Sequence, residues 1–477
     1  MSGYSEGSAS HTRAALKSWF PRHLSAKSDI EWNLKCLRER AHDLAINSSL
    51  GAAVIETMTS GVIGSGLRVF PKVKAEILGI DAAQARKLNQ QIKLEFELWA
   101  SDPLSCDFLK KNNFWELQQI AFRSSLIDGD NFVLFKRRMA TTFNPYSLRL
   151  QLVDALRVSN PQAAGTVETI YKNHRVINGI ELDNDGALTA VWIANRLWNE
   201  PSISAEPLKW QRVKFFGRDT GYKNVLQICK DMRADQCRGV PLLAPVIESL
   251  KQLSRFNEAE LGAAIVRSFF SIFFTQKERD LTFNDIVGAQ QQEEPEIDAS
   301  EFKLDSPSVT SLPAGVDVKF LSNNQAQSEF AEFTAAFIKQ IAAAVNIPFE
   351  VLLKSFNSSY SASRASLLQA ENEFRQRREA FVTDYCQPIY EQFLMEAIAI
   401  GRIDAPGFFD DPVKRQAYLN AMWINERANV LDPLKEANAQ VLRLQNNLST
   451  YERELAATGQ DFDDVAQQLK TERELLS

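Results

Sequence analysis

The sequence has few of the residues that build metal centres, disulfide frameworks or nucleotide sites. Its five cysteines form no CxxC pair and are odd in number, which predicts reduced thiols and excludes a zinc ribbon. The four histidines are scattered, so they form neither an HExxH zinc site nor an obvious catalytic triad. The phosphate-binding pattern GxxxxGK[ST] is also absent. We therefore expect no catalytic residue, no metal and no cofactor.

The chain also lacks a long apolar run and an excess of positive charge. Its longest apolar stretches, 263–274 and 393–400, are interrupted by charges and are shorter than the roughly 20 residues that a membrane span requires. Residues 1–29 are polar and rich in serine, so they predict a flexible arm and not a signal peptide. With 54 basic and 60 acidic residues, the net charge is −6. We expect a soluble protein that has no membrane partner and contacts nucleic acid only locally.

What the chain does contain is the average mixture of a globular protein, with 45% hydrophobic and 24% charged residues. Apolar residues recur at helical spacing over 30–60, 81–100 and 114–127. Short β-branched and aromatic runs then predict a mixed or antiparallel sheet. These runs are 131–138, 148–154, 175–182, 188–195 and 209–216. Asp183-Asn-Asp-Gly186 separates two of these runs and predicts a hairpin turn. The helical segments and the strand runs together predict the α+β fold class.

Three long helices are predicted in the second half of the chain. The first covers 241–270, the second covers 324–345, and the third covers 364–400 with Pro388 as a kink. Serine and asparagine residues cluster over 355–363, which predicts an exposed loop. Short capped helices follow as far as the C-terminus.

A strongly acidic stretch separates the first two long helices. Residues 280–330 contain ten acidic residues and two lysines, a net charge of −8. The pattern favours either a solvated loop or a repulsive functional surface. The residues of this predicted acidic surface are Asp280, Asp285, Glu293, Glu294, Glu296, Asp298, Glu301 and Asp305.

Asp128 and Asp130 flank Gly129 where a predicted helix gives way to a strand. A carboxylate pair serves metal or acid–base chemistry in some enzymes, but a pair around a glycine more often forms a turn. With Asp154, the two residues could bind metal in a nucleic-acid-processing enzyme of a mobile element. That enzyme and a cytoplasmic scaffold with no DNA role are the alternative functions that the residues leave open.

The order of these parts and a series of short motifs resemble the lambda-type family of tailed-phage portal proteins, from about Glu31 to the C-terminus. The motifs are Arg40-Ala-His-Asp-Leu-Ala-Ile-Asn47, Gly61-Val-Ile-Gly-Ser-Gly-Leu-Arg68, Asp128-Gly-Asp-Asn-Phe-Val133, Gln151-Leu-Val-Asp154, Asn178-Gly-Ile-Glu-Leu-Asp183, Cys237-Arg-Gly-Val-Pro-Leu-Leu-Ala-Pro245, Ile347-Pro-Phe-Glu350, Asn357-Ser-Ser-Tyr-Ser-Ala-Ser-Arg364, Asp432-Pro-Leu-Lys-Glu436 and Thr458-Gly-Gln-Asp461. The sequence departs from the family at Lys354-Ser355, where a Gly-Asp type turn is common, and at Asn447, where a glycine is usual.

The resemblance implies a head–tail connector and not an enzyme. Such proteins form a ring, usually of twelve subunits, at one capsid vertex of the virion, which is assembled in the bacterial cytoplasm. Double-stranded DNA passes through the ring during packaging and ejection. The implied partners are this DNA, bound without sequence specificity, the terminase large subunit, the head–tail adaptor, and the major capsid and scaffold proteins.

The resemblance also implies a portal-type division of the chain. The segments are a flexible arm (1–29), a helix-rich wing with a mixed β-sheet (30–240), a stem helix (241–270), a small α/β clip with the acidic loop (271–325), a returning stem helix (326–345), a tunnel loop facing the channel (346–362), a long kinked wing helix (363–405) and a helical crown (406–477). The residues expected to line the channel at the tunnel loop are Lys354, Ser355, Asn357, Ser358, Ser359, Tyr360 and Arg364.

Overall fold

The computed structural model describes residues 23–161, 165–197, 207–269, 272–276, 316–320, 325–356, 359–425, 433–460 and 462–476. The chain forms two compact units. One consists of Met1–Ile247 together with Ala343–Ser477, and the other of Glu248–Ala342.

Helices predominate in the first and last parts of the described chain, and eight strands follow one another over 130–229. The helices are α1 (Leu34–Asn47), α2 (Ser49–Val62), α3 (Ala75–Leu78), α4 (Ala82–Ser101), α5 (Pro103–Cys106), α6 (Phe114–Asp128), α7 (Ile247–Phe269), α8 (Gln325–Ala344), α9 (Phe349–Leu353), α10 (Tyr360–Phe381), α11 (Gln387–Ala399), α12 (Pro412–Leu419), α13 (Pro433–Gln445), α14 (Tyr451–Ala457) and α15 (Phe462–Leu476). The strands are β1 (Leu67–Pro71), β2 (Asp130–Arg137), β3 (Leu148–Val153), β4 (Glu168–Tyr171), β5 (His174–Ile177), β6 (Ile180–Leu182), β7 (Leu188–Ala194), β8 (Trp210–Lys214), β9 (Val225–Cys229), β10 (Ile272–Gln276), β11 (Val316–Phe320) and β12 (Ala421–Asn425). π-Helical turns occupy Lys27–Glu31 and Val382–Cys386. None of the described helices is long and apolar enough to cross a bilayer.

The described part of the first unit contains three separate sheets, with strand orders β3-β2-β9, β4-β5-β6-β7-β8 and β1-β12. All of these strand pairs are antiparallel, the second of the two arrangements that the sequence predicts, and the described residues add an isolated parallel bridge between Asp107 and Leu150. Parallel neighbours need crossover connections of a dozen or more residues, whereas β4 to β7 are joined by tight turns. The α+β class itself is confirmed.

One predicted strand is two strands in the structure. The run 175–182 turns back at Asn178 and Gly179, where φ is 44° and 84°. Both asparagine and glycine tolerate this left-handed conformation, and the turn joins β5 to β6. The predicted turn at Asp183–Gly186 is confirmed: the Asp183 amide donates to the Ala187 carbonyl over 3.0 Å, and Gly186 has a φ of 88°.

Among its described residues, the first unit has a β-rich apolar core and a helical apolar core. The β-rich core is made by Phe132, Leu134, Val153, Val158, Ile177, Ile180, Leu182, Val191, Ile193, Phe215, Val225 and Cys237. The helical core surrounds the buried ring of Phe96, which makes edge contacts with Phe114, Tyr390 and Phe393. This aromatic packing joins α4, α6 and α11.

The second unit contains nearly all of α7 and the greater part of α8. Helix α8 matches the helix predicted over 324–345, whereas α7 begins six residues later than the helix predicted over 241–270, after the 3-10 turn Ala244–Val246. The Phe256 ring lies 5.4 Å from the Phe330 ring and 4.8 Å from the Phe333 ring, so aromatic side chains pack these helices together. Strands β10 and β11 pair antiparallel between the two helices in the chain.

The third long helix departs from its prediction at both ends of the predicted span and in its middle. Helix α10 begins at Tyr360, so Tyr360 to Ser363 are helical and not part of an exposed loop. The interruption lies in the π-helical turn Val382–Cys386, just before Pro388, and α11 ends at Ala399. Proline lacks the N–H that a helix needs for its hydrogen bond four residues back, so the irregular turn lies on the N-terminal side of Pro388.

Candidate functional site: the segment from Asn346 to Arg364

The segment between α8 and α10 contains the described residues of the predicted tunnel loop. It is less extended than predicted, because α9 occupies Phe349–Leu353 within it. Lys354 ends α9 in the left-handed conformation, with φ at 52° and ψ at 34°. The Ser355 amide closes the turn by donating to the Glu350 carbonyl over 3.1 Å. Glycine adopts this conformation without steric cost, which explains why a glycine-containing turn also suits this position.

Helix α10 anchors this segment. Ile347 and Leu352 are buried, and the Ser366 hydroxyl of α10 donates to the Glu350 carboxylate. The Asn346 side-chain amide donates to Glu373, a second buried carboxylate on the same helix. Because Asn346 precedes α9 and Glu350 lies in its first turn, these bonds attach the N-terminal side of α9 to α10, and the Ser355 amide links the turn at Lys354 to Glu350.

Helix α10 is in turn attached to the end of α2. The Arg378 guanidinium donates to the Val62 carbonyl over 2.9 Å and to the Gly61 carbonyl over 2.8 Å. These bonds satisfy carbonyls that a helix C-terminus leaves without partners. A Cβ at Gly61 would lie 2.5 Å from the Phe374 ring, so the close helix contact requires glycine there. This contact accounts for one of the motifs that carry the family resemblance.

The structure brings several of the predicted channel residues together at the start of α10. Ser359 is the N-cap, its side chain accepting from the Ala362 amide over 3.4 Å. Tyr360 is 46% exposed, and the Lys435 ammonium lies 5.0 Å from its ring centre. Lys354 and Arg364 are exposed, whereas Ser355 is half-buried. Asn357 and Ser358 lie outside the described residues.

The predicted acidic surface also lies outside the described residues. This applies to Asp280, Asp285, Glu293, Glu294, Glu296, Asp298, Glu301 and Asp305.

Asp130 is the centre of a buried ionic cluster. Its carboxylate accepts from Arg238 Nε over 2.6 Å and from Arg38 Nη2 over 2.7 Å, and all three side chains are buried. Burial raises the pKa of Asp130, but the two arginines and the Gly239 amide lower it by a larger amount, so the net shift of the pKa is downward. Burial lowers the pKa of Arg38 to about 10, with Arg238 contributing to the decrease.

The carboxylates of the enzyme alternative therefore already have partners. Asp128 pairs with His42 Nε2 over 2.6 Å, and Asp154 accepts from the Leu156 amide over 2.8 Å. Both carboxylate oxygens of Asp130 are taken by guanidinium groups. Within the described ranges, no three His, Cys, Asp or Glu side chains converge as metal ligands would. This geometry does not support a metal-dependent nuclease-like site.

Sequence reasoning missed Arg38, Arg238 and Glu31. The Glu31 carboxylate accepts from the Cys237 amide over 3.1 Å and from the Arg238 amide over 3.0 Å. Arg238 lies in one of the motifs that resemble the family and Asp130 in another. Neither motif indicates that the two side chains are in contact. Their meeting is permitted by two glycines, since a Cβ on Gly129 would overlap the Gly239 carbonyl group.

Comparison with known sequences gives a consistent result over the length of the chain. The model of a family described as "Phage portal protein, lambda family" matches residues 12–378. Portal protein B of Escherichia phage lambda is 24% identical over 491 aligned residues, covering 98% of this chain and 89% of that protein. The portal protein of Escherichia phage N15 is 23% identical over 482 aligned residues, covering 96% of this chain and 88% of that protein.

Solved structures of gene transfer agent particles are also similar to this chain. A neck of the native particle, computed with C12 symmetry, has a TM-score of 0.42 at 11% identity and covers 89% of this chain and 94% of the solved chain. The virion of the native particle has a TM-score of 0.41 at 13% identity, with 93% and 94% covered.

Proposed function

This chain belongs to the lambda family of phage portal proteins, and from that premise we propose that copies of it close into a ring that conducts double-stranded DNA. As a portal protein it is the connector between phage head and tail. The match of the family to residues 12–378 carries this conclusion. We assign the ring to one vertex of the capsid, with no catalytic role in its wall and with assembly in the bacterial cytoplasm.

The segments of the chain take the following roles in this proposal. They are the wing (30–240), the stem helices (241–270 and 326–345), the clip (271–325), the tunnel loop (346–362), the long wing helix (363–405) and the crown (406–477). The pairing of α7 with α8 through Phe256, Phe330 and Phe333 supports a stem made of two helices.

The tunnel loop supplies the contact with DNA. Lys354 is an exposed cation on a turn that α10 holds in place, and Arg364 is a second exposed cation one helical turn into α10. Neither side chain needs to read a base, because an ammonium or guanidinium binds phosphate regardless of sequence. Each phosphate contact also strengthens binding and slows sliding, so a conduit benefits from few of them.

The acidic residues between Asp280 and Asp305 support a complementary role for the clip. A net charge of −8 over 280–330 repels the DNA backbone and so opposes tight binding in the channel. The same stretch offers a charged docking surface for the terminase large subunit during packaging and for the head–tail adaptor afterwards. In this proposal the wing and the crown contact the major capsid and scaffold proteins.

Electron microscopy of the purified full-length chain tests the ring directly. We expect closed rings with a central hole wide enough for duplex DNA. A chain that remains monomeric under all assembly conditions would contradict the proposal.

The role of Lys354 is tested by replacing Lys354 with Gln and measuring DNA packaging and retention in assembled heads. Removing one cation per subunit weakens the contact with phosphate, so we expect less DNA to be retained after packaging. Lys110→Gln is a matched control, since Lys110 is also exposed and also left-handed, with a φ of 61°. Equal DNA retention in the Lys354→Gln and Lys110→Gln variants would contradict a contact between Lys354 and DNA in the channel.

A further inference from the structure

An apolar groove of about 730 Å³ lies in the first unit, next to the start of the segment from Asn346 to Arg364. Its walls come from α6, β9, the segment before α7, residues 344–346 and α10. They include Phe122, Leu126, Ile228, Met232, Leu242 and Phe381. Phe122 and Phe381 are buried, but Met232 is 69% exposed at the groove. The volume is in the usual range of roughly 300–1,000 Å³ for sites that bind a ligand or side chains.

The described chain begins beside this groove. Ser25, Ala26 and Lys27 line a neighbouring cavity of about 930 Å³, and the two cavities share Cys229 and Asp384 in their walls. The Arg233 guanidinium donates to the Leu24 carbonyl over 2.7 Å and also pairs with Asp29, which fixes the start of the described chain there.

The 22 residues that precede this point contain a compact apolar group, Leu16, Trp19 and Phe20. Phe20 is six residues before Ala26, and an extended chain of six residues spans about 20 Å. The three side chains are therefore within reach of the groove. A tryptophan and a phenylalanine are also the kind of anchors that fill apolar pockets at interfaces.

The arm carries a net positive charge, and one acidic residue lies in the wall that the two cavities share. Residues 1–22 contain Arg13, Lys17 and Arg22 against the one acid Glu6. In the wall between the cavities, Asp384 is half-buried, and its carboxylate has no ion-pair partner among the residues described. Burial raises the pKa of Asp384 and Asp231 adds to the increase, whereas Lys223 opposes it. An arginine or lysine from the arm would add a second cation near this carboxylate.

We propose that the arm before His23 docks on its own chain, with Leu16, Trp19 and Phe20 in the groove between Phe122 and Met232. The site is an internal peptide-binding groove, and its occupant is residues 13–22 of the same copy. Docking buries the exposed Met232 and places the basic residues of the arm beside Asp384.

Limited trypsin digestion of the assembled full-length protein tests the docking, because trypsin cuts after Arg13, Lys17 and Arg22. Intact-mass analysis follows the cleavage. We expect slow cleavage after Lys17 and Arg22 in the unaltered protein. Trp19→Ser on the arm and Met232→Asp in the groove should each speed that cleavage about tenfold or more, and the double variant should be no faster than either single variant.

Met139→Asp is the matched control, since Met139 is 95% exposed and lies outside the groove. It should leave the cleavage rate unchanged. A circular dichroism melt of each variant separates loss of docking from loss of folding, and Trp19→Ser provides a test that leaves the groove intact. Equal cleavage rates in all variants, or additive effects of the two substitutions, would overturn the proposal.

Mixed rings decide whether the arm enters its own groove. In rings assembled from Trp19→Ser and Met232→Asp copies, docking within one chain leaves every arm accessible to trypsin. Protection of the intact arms in such rings would show docking on a neighbouring copy and would overturn the assignment to the same chain. Loss of rings with Met232→Asp, but unchanged cleavage with Trp19→Ser, would assign the groove to another part of a neighbouring subunit.

Discussion

The close approach of Gly129 and Gly239 permits a sharp test of how the buried ionic cluster is held. Gly129 has a φ of 88°, and a Cβ there would overlap the Gly239 carbonyl and lie 2.5 Å from the Val240 carbonyl carbon. Gly186 has the same φ of 88°, but a Cβ there would have no atom within 4 Å. The substitutions Gly129→Ala and Gly186→Ala therefore share their backbone strain and differ in steric overlap.

The strain of a left-handed alanine is about 1–2 kcal/mol, and this is the whole cost expected for Gly186→Ala. In Gly129→Ala the chain around Gly239 must also move away. That movement breaks the 3.1 Å bond from the Gly239 amide to Asp130 and weakens the bonds from Arg238. Buried hydrogen bonds to a charged group contribute about 1.5–3 kcal/mol each, so the total cost should reach about 3–5 kcal/mol.

Thermal unfolding followed by circular dichroism measures this difference. At roughly 2–4 °C per kcal/mol, Gly186→Ala should lower the Tm by a few degrees and Gly129→Ala by about 6 °C or more. Equal Tm values for the two variants would show that the backbone around residue 129 can move apart from Gly239 without breaking the hydrogen bonds of the ionic cluster. The steric argument would then be wrong.

Further substitutions test three other parts of the structure. Asp130→Asn should cost about 3–5 kcal/mol of unfolding free energy because it leaves buried arginines without a counter-charge, whereas the exposed cap variant Asp154→Asn should cost about 1 kcal/mol or less by chemical denaturation. The hydrogen bond to Asp128 raises the pKa of His42 above 6.5. The stabilisation of the fold by protonated His42 should therefore be complete below pH 6.5 and decline as pH rises through the folded-state pKa. His42→Gln should remove this pH dependence from the free energy of unfolding measured between about pH 5.5 and 8.5. Lys354→Gly should raise the free energy of unfolding by about 0.5–1 kcal/mol through relief of the left-handed strain, whereas Lys354→Gln should not.

Local patterns predicted the elements whose burial is periodic. The long helices over 241–270 and 324–345 followed from apolar spacing, and the turn at Asp183 followed from its residue types. The strand predicted over 175–182 failed because alternation does not reveal a reversal at Asn178-Gly179. The third long helix was misplaced because Ser359 caps a helix just where serine and asparagine suggested a loop.

The candidate site was harder to predict than the elements that support it. Lys354 and Tyr360 entered the predicted set through the family resemblance, and composition alone gave them no special role. The attachment of the turn to Glu373 and Ser366 depends on contacts between separate helices, which no local pattern records. The cluster around Asp130 was missed for the same reason, since its partners lie about 90 and 110 residues away in the sequence.

The arginine at the centre of that cluster does more than neutralise a carboxylate. Arg238 donates to the main-chain carbonyls of Ala155 over 2.8 Å, Asn178 over 2.6 Å and Val158 over 3.1 Å. A simple buried ion pair can be replaced by apolar side chains at little cost, because both charges disappear together. Here the same replacement would leave three carbonyls without donors, at about 1–3 kcal/mol each. The cluster therefore fixes the backbone at the ends of β3 and β5 and just before α7, and its geometry, more than its net charge, is what the fold requires.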